Sequence, residues 1–345
     1  MTKSSQRFLL EDVARAAAVS TASVSRVLNN APHVSERLRS RVQAAIDELG
    51  YVPHGTARAL ATRRVGAIAA LVPTLDNPIF STMIEGLERR LKWHDYRLLI
   101  ATYHYDLQDE VEALRGMIQQ GVDGTILVGH DHLAETLRLL ALHDVPYLSC
   151  WHATRDPDWP TIGFENATPA CQLAEHLVML GHRDIAVVCA PTTSNDRARA
   201  RLKGFRQALE SAGISLAPEH VVTVEYGIAE GSLALERLMR LTPRPSAILC
   251  GNDTLAFGVM LAAQKLGLRI PEDLSVTGFD DLPQARFMTP ALTTVAVPAA
   301  DIGTCLADTL VARMKGQNVP HYQQMEAPIV IRGSTGPAPD VATSS

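Results

Sequence analysis

The chain is poor in the features that mark secreted, membrane-spanning or catalytic proteins. Its 345 residues hold five cysteines, Cys150, Cys171, Cys189, Cys250 and Cys305, an odd number with no C-x-x-C pair. That pattern argues against a disulfide framework and a zinc site, and each cysteine reads as a small buried hydrophobe. No apolar run approaches the ~18 residues of a membrane span, and the opening stretch MTKSSQRFLLEDVARAAAVS has no long apolar core before its first acidic pair. A cytoplasmic location without a membrane partner is the expectation. There is no G-x-S-x-G elbow, no H-E-x-x-H, no G-x-x-x-x-G-K-S/T loop, and no G-x-G-x-x-G after the first strand of either half of the body. The twelve histidines are dispersed. The chain is therefore expected to be no enzyme, with no catalytic residue, metal or cofactor.

What is present is an uneven distribution of charge. The net charge of -5 hides a head, residues 1–64, in which ten Lys and Arg stand against five Asp and Glu. The head carries +5 and the remainder -10, so a polyanion is expected to meet the head alone. With 46% hydrophobic residues the chain can bury a large core, and its length suggests at least two domains.

The first 50 residues read as three helices. LLEDVARAAAV sets Leu10, Val13 and Ala17 on one face. After a break at Val19-Ser20 comes a helix with Val24, Val27 and Leu28 at i, i+3, i+4; Ser20 is placed to cap it and Val19 to staple onto Val24. Thr21, Ala22, Ser25 and Arg26 are left facing outward. Ser35 caps ERLRSRVQAAIDELG, which stops at Gly50. Two short helices across a tight turn, then a third, make a helix-turn-helix unit. A protein-binding three-helix bundle is the plainer alternative, disfavoured by the basic charge and the outward Arg26. The following TARALATRR could make two helical turns but is too short to be stable alone, so it reads as a linker that orders conditionally.

From Val65 short apolar runs such as VGAIAALVP, DGTILVG, DIAVVCA and PSAILCGND alternate with amphipathic segments. That texture indicates parallel sheets built of crossovers, and it runs twice, over about 65–164 and 165–293. Two doubly wound lobes follow, with a ligand cleft beyond the carboxyl ends of their strands. Several runs end in polar residues: Asp76 and Asn77 with Phe80, Glu165 with Asn166, Asn252 with Asp253, and Phe279 with Asp280 and Asp281. Carboxylates and amides beside an aromatic suit a polyhydroxyl ligand, because they pair with vicinal hydroxyls while the ring stacks on C–H faces. Each could equally cap the helix that follows, Asn166 above all; for Asn252 and Asp280 together capping is the weaker explanation. SNDRARARLKGFRQAL opens with three arginines in alternation, Arg197, Arg199 and Arg201, the last one turn into its helix. A charge run is ordinarily a solvated face, so the residues alone leave Arg201 open.

EDVARAAAVSTASVSRVLNN, VSERLRSRVQAAIDELGYVPHGTARALAT, VGAIAALVPTLDNPIF, HLVMLGHRDIAVV, RLKGFRQAL, GNDTLAFGVM, PEDLSVTGFDDLPQARFMTPALTTV and the closing IRGST together resemble the LacI/GalR family of bacterial transcriptional regulators along nearly the whole chain. ATYHYDLQDEVEAL also looks like the gluconate-regulator branch. The resemblance implies an all-α helix-turn-helix head (1–53), a hinge helix (54–63) and an α/β core of the periplasmic-binding-protein type (64–335). In that core the N-lobe is 64–164 plus 294–323 and the C-lobe 165–293 plus 324–335. Residues 336–345, low in hydrophobicity, read as a disordered tail, and no heptad supports a tetramer.

By the same resemblance Thr21, Ala22 and Arg26 fall on base-reading positions, and Ser25, Asn29, His33 and Ser35 on backbone-contacting ones. Ala57, Arg58 and Leu60 match the hinge, with the leucine as a minor-groove wedge. Asn77, Phe80, Arg201, Asn252 and Asp280 fall in the effector cleft, and Tyr226 at a stacking position. Trp151 stands where several relatives place a carboxylate, and Val297 where a glutamine is frequent; both depart from the sugar-binding pattern. The implied protein is a homodimeric repressor on pseudo-palindromic operator DNA, controlled by a small sugar or sugar acid. Its rival is a periplasmic-type sugar-binding protein with no regulatory role.

Overall fold

The computed structural model describes residues 8–28, 31–52, 65–153 and 159–339, and the chain divides into two units, Met1–Gly66 and Ala67–Ser345. In the first unit the Asp12 carboxylate accepts from the Leu9 N–H at 2.9 Å and starts α1 (Leu10–Ala16). Ser20 Oγ accepts from the Ser23 N–H at 3.2 Å and opens α2 (Thr21–Leu28), as the small polar residue before an apolar-periodic run predicts. Ser35 Oγ accepts from the Leu38 N–H at 3.3 Å and opens α3 (Glu36–Leu49), which closes on Gly50 in the left-handed region, φ 59°. Arg41 reaches back from α3 to the Ala18 carbonyl at 3.0 Å and fixes the turn between α1 and α2. Val13, Ala14, Ala17, Val24, Val27, Val42, Ala45 and Tyr51 form the core. Most are Ala or Val, so the apolar area removed from water is small and the geometry leans on caps and on the Arg41 contact.

The second unit holds two parallel sheets. One has six strands in the order β11-β5-β4-β3-β1-β2: β1 (Ala67–Val72), β2 (Arg97–Thr102), β3 (Gly124–Val128), β4 (Tyr147–Cys150), β5 (Thr161–Gly163) and β11 (Tyr322–Gln324). The other runs β7-β6-β8-β9, with β6 (Ile185–Cys189), β7 (Val221–Thr223), β8 (Ala247–Cys250) and β9 (Ser275–Thr277). Strands β1, β3, β6 and β8 are buried at every position, which explains their unbroken apolar sequence. The first sheet carries α4 (Pro78–Trp93), α5 (Leu107–Gln120) and α6 (Ala134–Leu142); the second carries α7 (Ala167–Met179), α8 (Asp196–Ser211), α9 (Ile228–Leu238) and α10 (Asp253–Lys265). The two expected doubly wound lobes are these.

The chain passes between the lobes after β5, between β9 and α11 (Ala299–Met314), and after β11. Helix α11 returns to the first lobe and crosses α4 with backbones touching: a Cβ on Gly86 would strike the Ala300 carbonyl, and one on Gly303 the Met83 carbonyl. Two short strands, β10 (Thr294–Val295) and β12 (Ile329–Val330), pair antiparallel. The expected disorder from residue 336 onward is corrected for its first residues. The Gly336 N–H donates to Ser275 Oγ at 3.1 Å, its carbonyl faces His182 Nε2 at 3.1 Å, and the Ala338 N–H donates to the Leu180 carbonyl. Gly336 and Ala338 dock through backbone groups, a signal hydropathy does not carry. Residues 340–345 and 53–64, the latter spanning the expected hinge helix (54–63), lie outside the described residues.

Candidate DNA-reading face and effector cleft

Helix α2 is short and two-faced. Val24 and Val27 are buried, while Thr21, Ala22 and Arg26 are exposed and Ser25 lies between. Its first turn presents a hydroxyl and a methyl close to the backbone, with one long cation a turn further on. Small side chains let a helix end approach base edges, and a guanidinium there can bond guanine bidentately. His33, in the left-handed region at φ 67°, and Ser35 are both exposed before α3. Asn29, Ala57, Arg58 and Leu60 lie outside the described residues.

In the core, Asn77, Phe80, Trp151, Asn166, Arg201, Asn252 and Asp280 come together between the lobes, at the carboxyl ends of the strands. Arg201, one turn into α8, is 4% exposed. Its Nε donates to Asn166 Oδ1 at 2.9 Å and its Nη1 to the Gly251 carbonyl at 2.7 Å; Nη1 also lies 3.5 Å from Asp280 Oδ1, and the guanidinium sits 3.7 Å over the Phe279 ring. Asn166 Nδ2 donates to the Trp151 carbonyl at 3.0 Å. Asn166 stands at the start of α7 but makes no capping hydrogen bond, so its side chain serves the cleft instead. Asn252 does both: its Oδ1 caps α10 through the Leu255 N–H at 2.9 Å, and its Nδ2 is buried without a partner. Asn77 caps α4 through the Ile79 N–H at 3.3 Å.

Asp280 is 1% exposed, with φ at 127°, and its carboxyl has only loose contacts, with Arg201 Nη1 at 3.5 Å and with the Asn77 side chain. Burial pushes its pKa up to about 8, with nearby Asp253 adding to the rise and Arg201 and Asn77 opposing it. A row of rings backs this polar cluster: Phe80 lies 5.2 Å from Trp151, Trp151 6.3 Å from Phe164, and Phe164 stacks on Phe279 at 6.2 Å. Trp151 is 1% exposed and packed on Phe80. Tyr226 stands apart from this group, at the mouth. Its ring lies 6.1 Å from that of Tyr105 in the first lobe, and both line a cavity of about 310 Å³ with His104, Asp106, Asn195 and Glu225. Glu165 faces a different, outer groove with Gln172 and Met325, away from the cleft.

The first turn of α8 also clasps the first lobe. Asp196 Oδ2 accepts from the His130 N–H at 2.9 Å, Arg197 Nη1 donates to Asp196 Oδ1 at 2.7 Å and to the Val128 carbonyl at 3.2 Å, and Arg199 pairs with Asp131 at 2.7 Å. Burial pushes the Asp196 carboxyl up, but Arg197 and the surrounding histidines outweigh it and hold the group below the ordinary carboxylate value. Gly129, between Val128 and His130, has φ 82°, and a Cβ there would run into Arg197 Nη1 and Asp196 Oδ1. Burial pushes the His130 imidazole down to about 4, and its ring packs on Trp159 at 4.9 Å. Beside it His132 Nδ1 lies 2.8 Å from the Glu110 carboxylate. Sequence reasoning did not single out Tyr105, Asp196 or Arg197. For Arg197 a signal existed, since it lies four residues before Arg201 and so on the same face of the helix. Among the described residues no group of His, Cys, Asp and Glu could hold a metal, and no helix is long and apolar enough to cross a membrane.

Comparison with known proteins matches this architecture. Residues 9–54 fit the profile of the bacterial regulatory proteins of the lacI family, and residues 174–335 that of the periplasmic binding protein-like domain. The HTH-type transcriptional repressor CytR of Escherichia coli is 33% identical over 96% of this chain and 97% of its own. The ribose operon repressor of Haemophilus influenzae is 33% identical over 90% of this chain and 92% of its own. A crystal structure of the lac repressor dimer bound to operator and the anti-inducer ONPF superposes with a TM-score of 0.83, at 28% identity, over 96% of this chain and 100% of that one. The chain belongs to the lacI family of bacterial regulatory proteins and is a transcriptional regulator with a DNA-binding helical head and an effector-binding α/β core.

Proposed function

We propose that this protein is a repressor whose operator affinity is set by a small sugar or sugar acid held between the core lobes. Thr21, Ala22 and Arg26 read base edges in the major groove, and Ser25, Asn29, His33 and Ser35 hold the DNA backbone. Ala57, Arg58 and Leu60 engage the minor groove at the operator centre. As a homodimer the protein meets a pseudo-palindrome, since two-fold symmetry in the protein calls for it in the DNA. It acts in the cytoplasm and performs no catalysis. In the cleft Arg201, Asn252 and Asp280 bond the hydroxyls of the effector, with Asn77 beside them, while Phe80, Trp151 and Tyr226 supply ring faces.

The observation that carries this reading is the fully buried polar cluster in the cleft, where Asn252 Nδ2 has no partner and the Asp280 carboxyl has only a loose contact with Arg201 at 3.5 Å. A buried polar group without a partner costs about 1–3 kcal/mol, and a ligand bearing vicinal hydroxyls satisfies Asn252 Nδ2 and completes the shell of Asp280. A thermal-shift screen of sugars, sugar acids and their phosphates tests it. A ligand at ~100 times its dissociation constant adds roughly 2.7 kcal/mol of stability. The shift should vanish in Arg201→Ala and Asp280→Ala, with operator affinity kept within a few fold. Wild-type ligand affinity in both variants would move the effector site elsewhere.

A further inference from the structure

The peptide unit between Gly129 and His130 is bonded on both of its edges. Its N–H donates to Asp196 Oδ2 at 2.9 Å, the bond that joins the lobes, while its carbonyl accepts from Ser149 Oγ and lies 3.0 Å from His132 Nε2. A peptide unit is planar, so the carbonyl cannot turn without carrying the N–H with it. Whatever governs the contact of His132 with that carbonyl therefore governs the lobe clasp.

His132 meets acceptors at both ring nitrogens. Its Nδ1 lies 2.8 Å and 2.9 Å from the two Glu110 oxygens, and its Nε2 faces the Gly129 carbonyl. A carbonyl and an ionised carboxylate accept and do not donate, so both contacts are hydrogen bonds only when the ring carries both protons. The His132 and Glu110 side chains are 1% and 0% exposed, which keeps water from substituting for either partner. The Trp159 ring lies 5.5 Å from the imidazole with planes inclined by 32°, a cover that suits a cation. The charges around the pair are matched among themselves: Asp131 with Arg199, Asp196 with Arg197, and Glu135 with Arg138. His152 stands 3.8 Å from Asp196, burial keeps His130 neutral near pH 7, and it keeps the Tyr103 hydroxyl un-ionised. Glu110 and His132 are left to balance each other.

We propose that His132, held as an imidazolium by Glu110, is a positioning residue of the lobe clasp, and that loss of its proton at alkaline pH turns the Gly129–His130 peptide and loosens the clasp. When the proton passes to water, the ring keeps its other proton on Nδ1, because an ionised carboxylate inside the protein is costlier to abandon than a carbonyl. Nε2 then turns a lone pair toward the Gly129 oxygen, and the carbonyl swings away with the His130 N–H. The clasp closes the cleft, so on the cleft reading above the response to effector weakens as the pH rises; the device itself needs no effector and is tested without one.

The experiment is amide exchange on the full-length protein at pH 6.5 and 9, read as protection over residues 129–132 after division by the intrinsic rate at each pH, with strand β6 as the internal control. Protection should fall tenfold or more in the wild type while β6 changes less than threefold. In Glu110→Gln the amide can donate to Nδ1 and leave a neutral ring with its proton on Nε2, so protection at pH 6.5 should stay within threefold of wild type and should not fall at pH 9. His132→Gln, which removes the titrating group, should also show no fall, whatever its protection at pH 6.5. Histidine labelled with nitrogen-15 gives a second readout: at pH 6.5 both ring nitrogens of His132, identified by their loss in His132→Gln, should be protonated. A neutral ring there, constant protection in the wild type, or the same fall in His132→Gln would overturn the proposal.

Discussion

The two regions of this protein handle polar side chains in opposite ways. In the head, Thr21, Ala22 and Arg26 stand in water on a helix whose other face is sealed by Val24 and Val27. In the core, Arg201 and Asp280 are 4% and 1% exposed, and Arg201 is held by Asn166, the Gly251 carbonyl and the Phe279 ring. With the roles proposed for these residues, the difference follows from ligand size. Duplex DNA is too large to engulf, so the side chains that read it wait at a surface and are desolvated only on contact. A small effector can be enclosed, so its partners are desolvated during folding and fixed before the ligand arrives. Preorganisation of that kind lowers the ordering cost of binding, but it stores unsatisfied groups in the fold.

The largest effect should come from breaking the core at the lobe clasp. Gly129→Ala places a side chain at φ 82° and drives its Cβ into Arg197 and Asp196, so the variant should lose about 2 kcal/mol or more of stability in denaturant unfolding. The matching change in the head, an exposed substitution such as Arg26→Ala, should leave unfolding within about 0.5 kcal/mol of wild type. Equal unfolding midpoints for Gly129→Ala and wild type would mean that the lobes do not close on this contact.

Arg26→Ala sharpens the comparison from the other side. It should weaken operator binding by about 1–3 kcal/mol and relax the preference at one base pair in each half-site, with effector affinity unaltered. An unchanged base preference in selected sites would remove Arg26 from the reading role.

The last expected effect is electrostatic and is read as a slope of stability against pH. Asp280, with its pKa raised to about 8, binds a proton in the folded protein that the unfolded chain has released above its ordinary value near 4. Its contribution to stability is therefore whole below about pH 4 and is lost as the pH rises through 8. Asp280→Asn should flatten that part of the stability curve. An identical slope between pH 5 and 8 in both proteins would show that the buried carboxyl is ionised across the range.

The same contrast explains what could be read from the chain alone. The head was legible because its information is local. Ser20 and Ser35 cap, Gly50 stops a helix, and the i, i+3, i+4 spacing of Val24, Val27 and Leu28 leaves the reading face by subtraction. The lobes were legible for a similar reason, since β1, β3, β6 and β8 are buried on both faces and read as unbroken apolar runs. The cleft was legible only in part. Asn252 and Asn166 sit at equivalent places before helices, yet the first caps its helix and the second does not, a choice made by Arg201 and the Trp151 carbonyl from distant parts of the chain. The clasp was not legible at all, because it joins the backbone of Val128 and His130 to Asp196 and Arg197 across more than 60 positions. The docking of Gly336 was hidden for the same reason: its partners Ser275 and His182 lie far back in the chain.

The central claim is that the exposed face of α2 reads a two-fold-symmetric DNA site, with the core left free to hold the effector. Selection of binding sites from a random double-stranded DNA pool by the full-length protein tests it most directly. The account predicts enrichment of a pseudo-palindrome whose two half-sites each contain a guanine required by Arg26, with that requirement lost in Arg26→Ala. Enrichment of no sequence, or of one without two-fold symmetry that Arg26→Ala selects equally well, would contradict it.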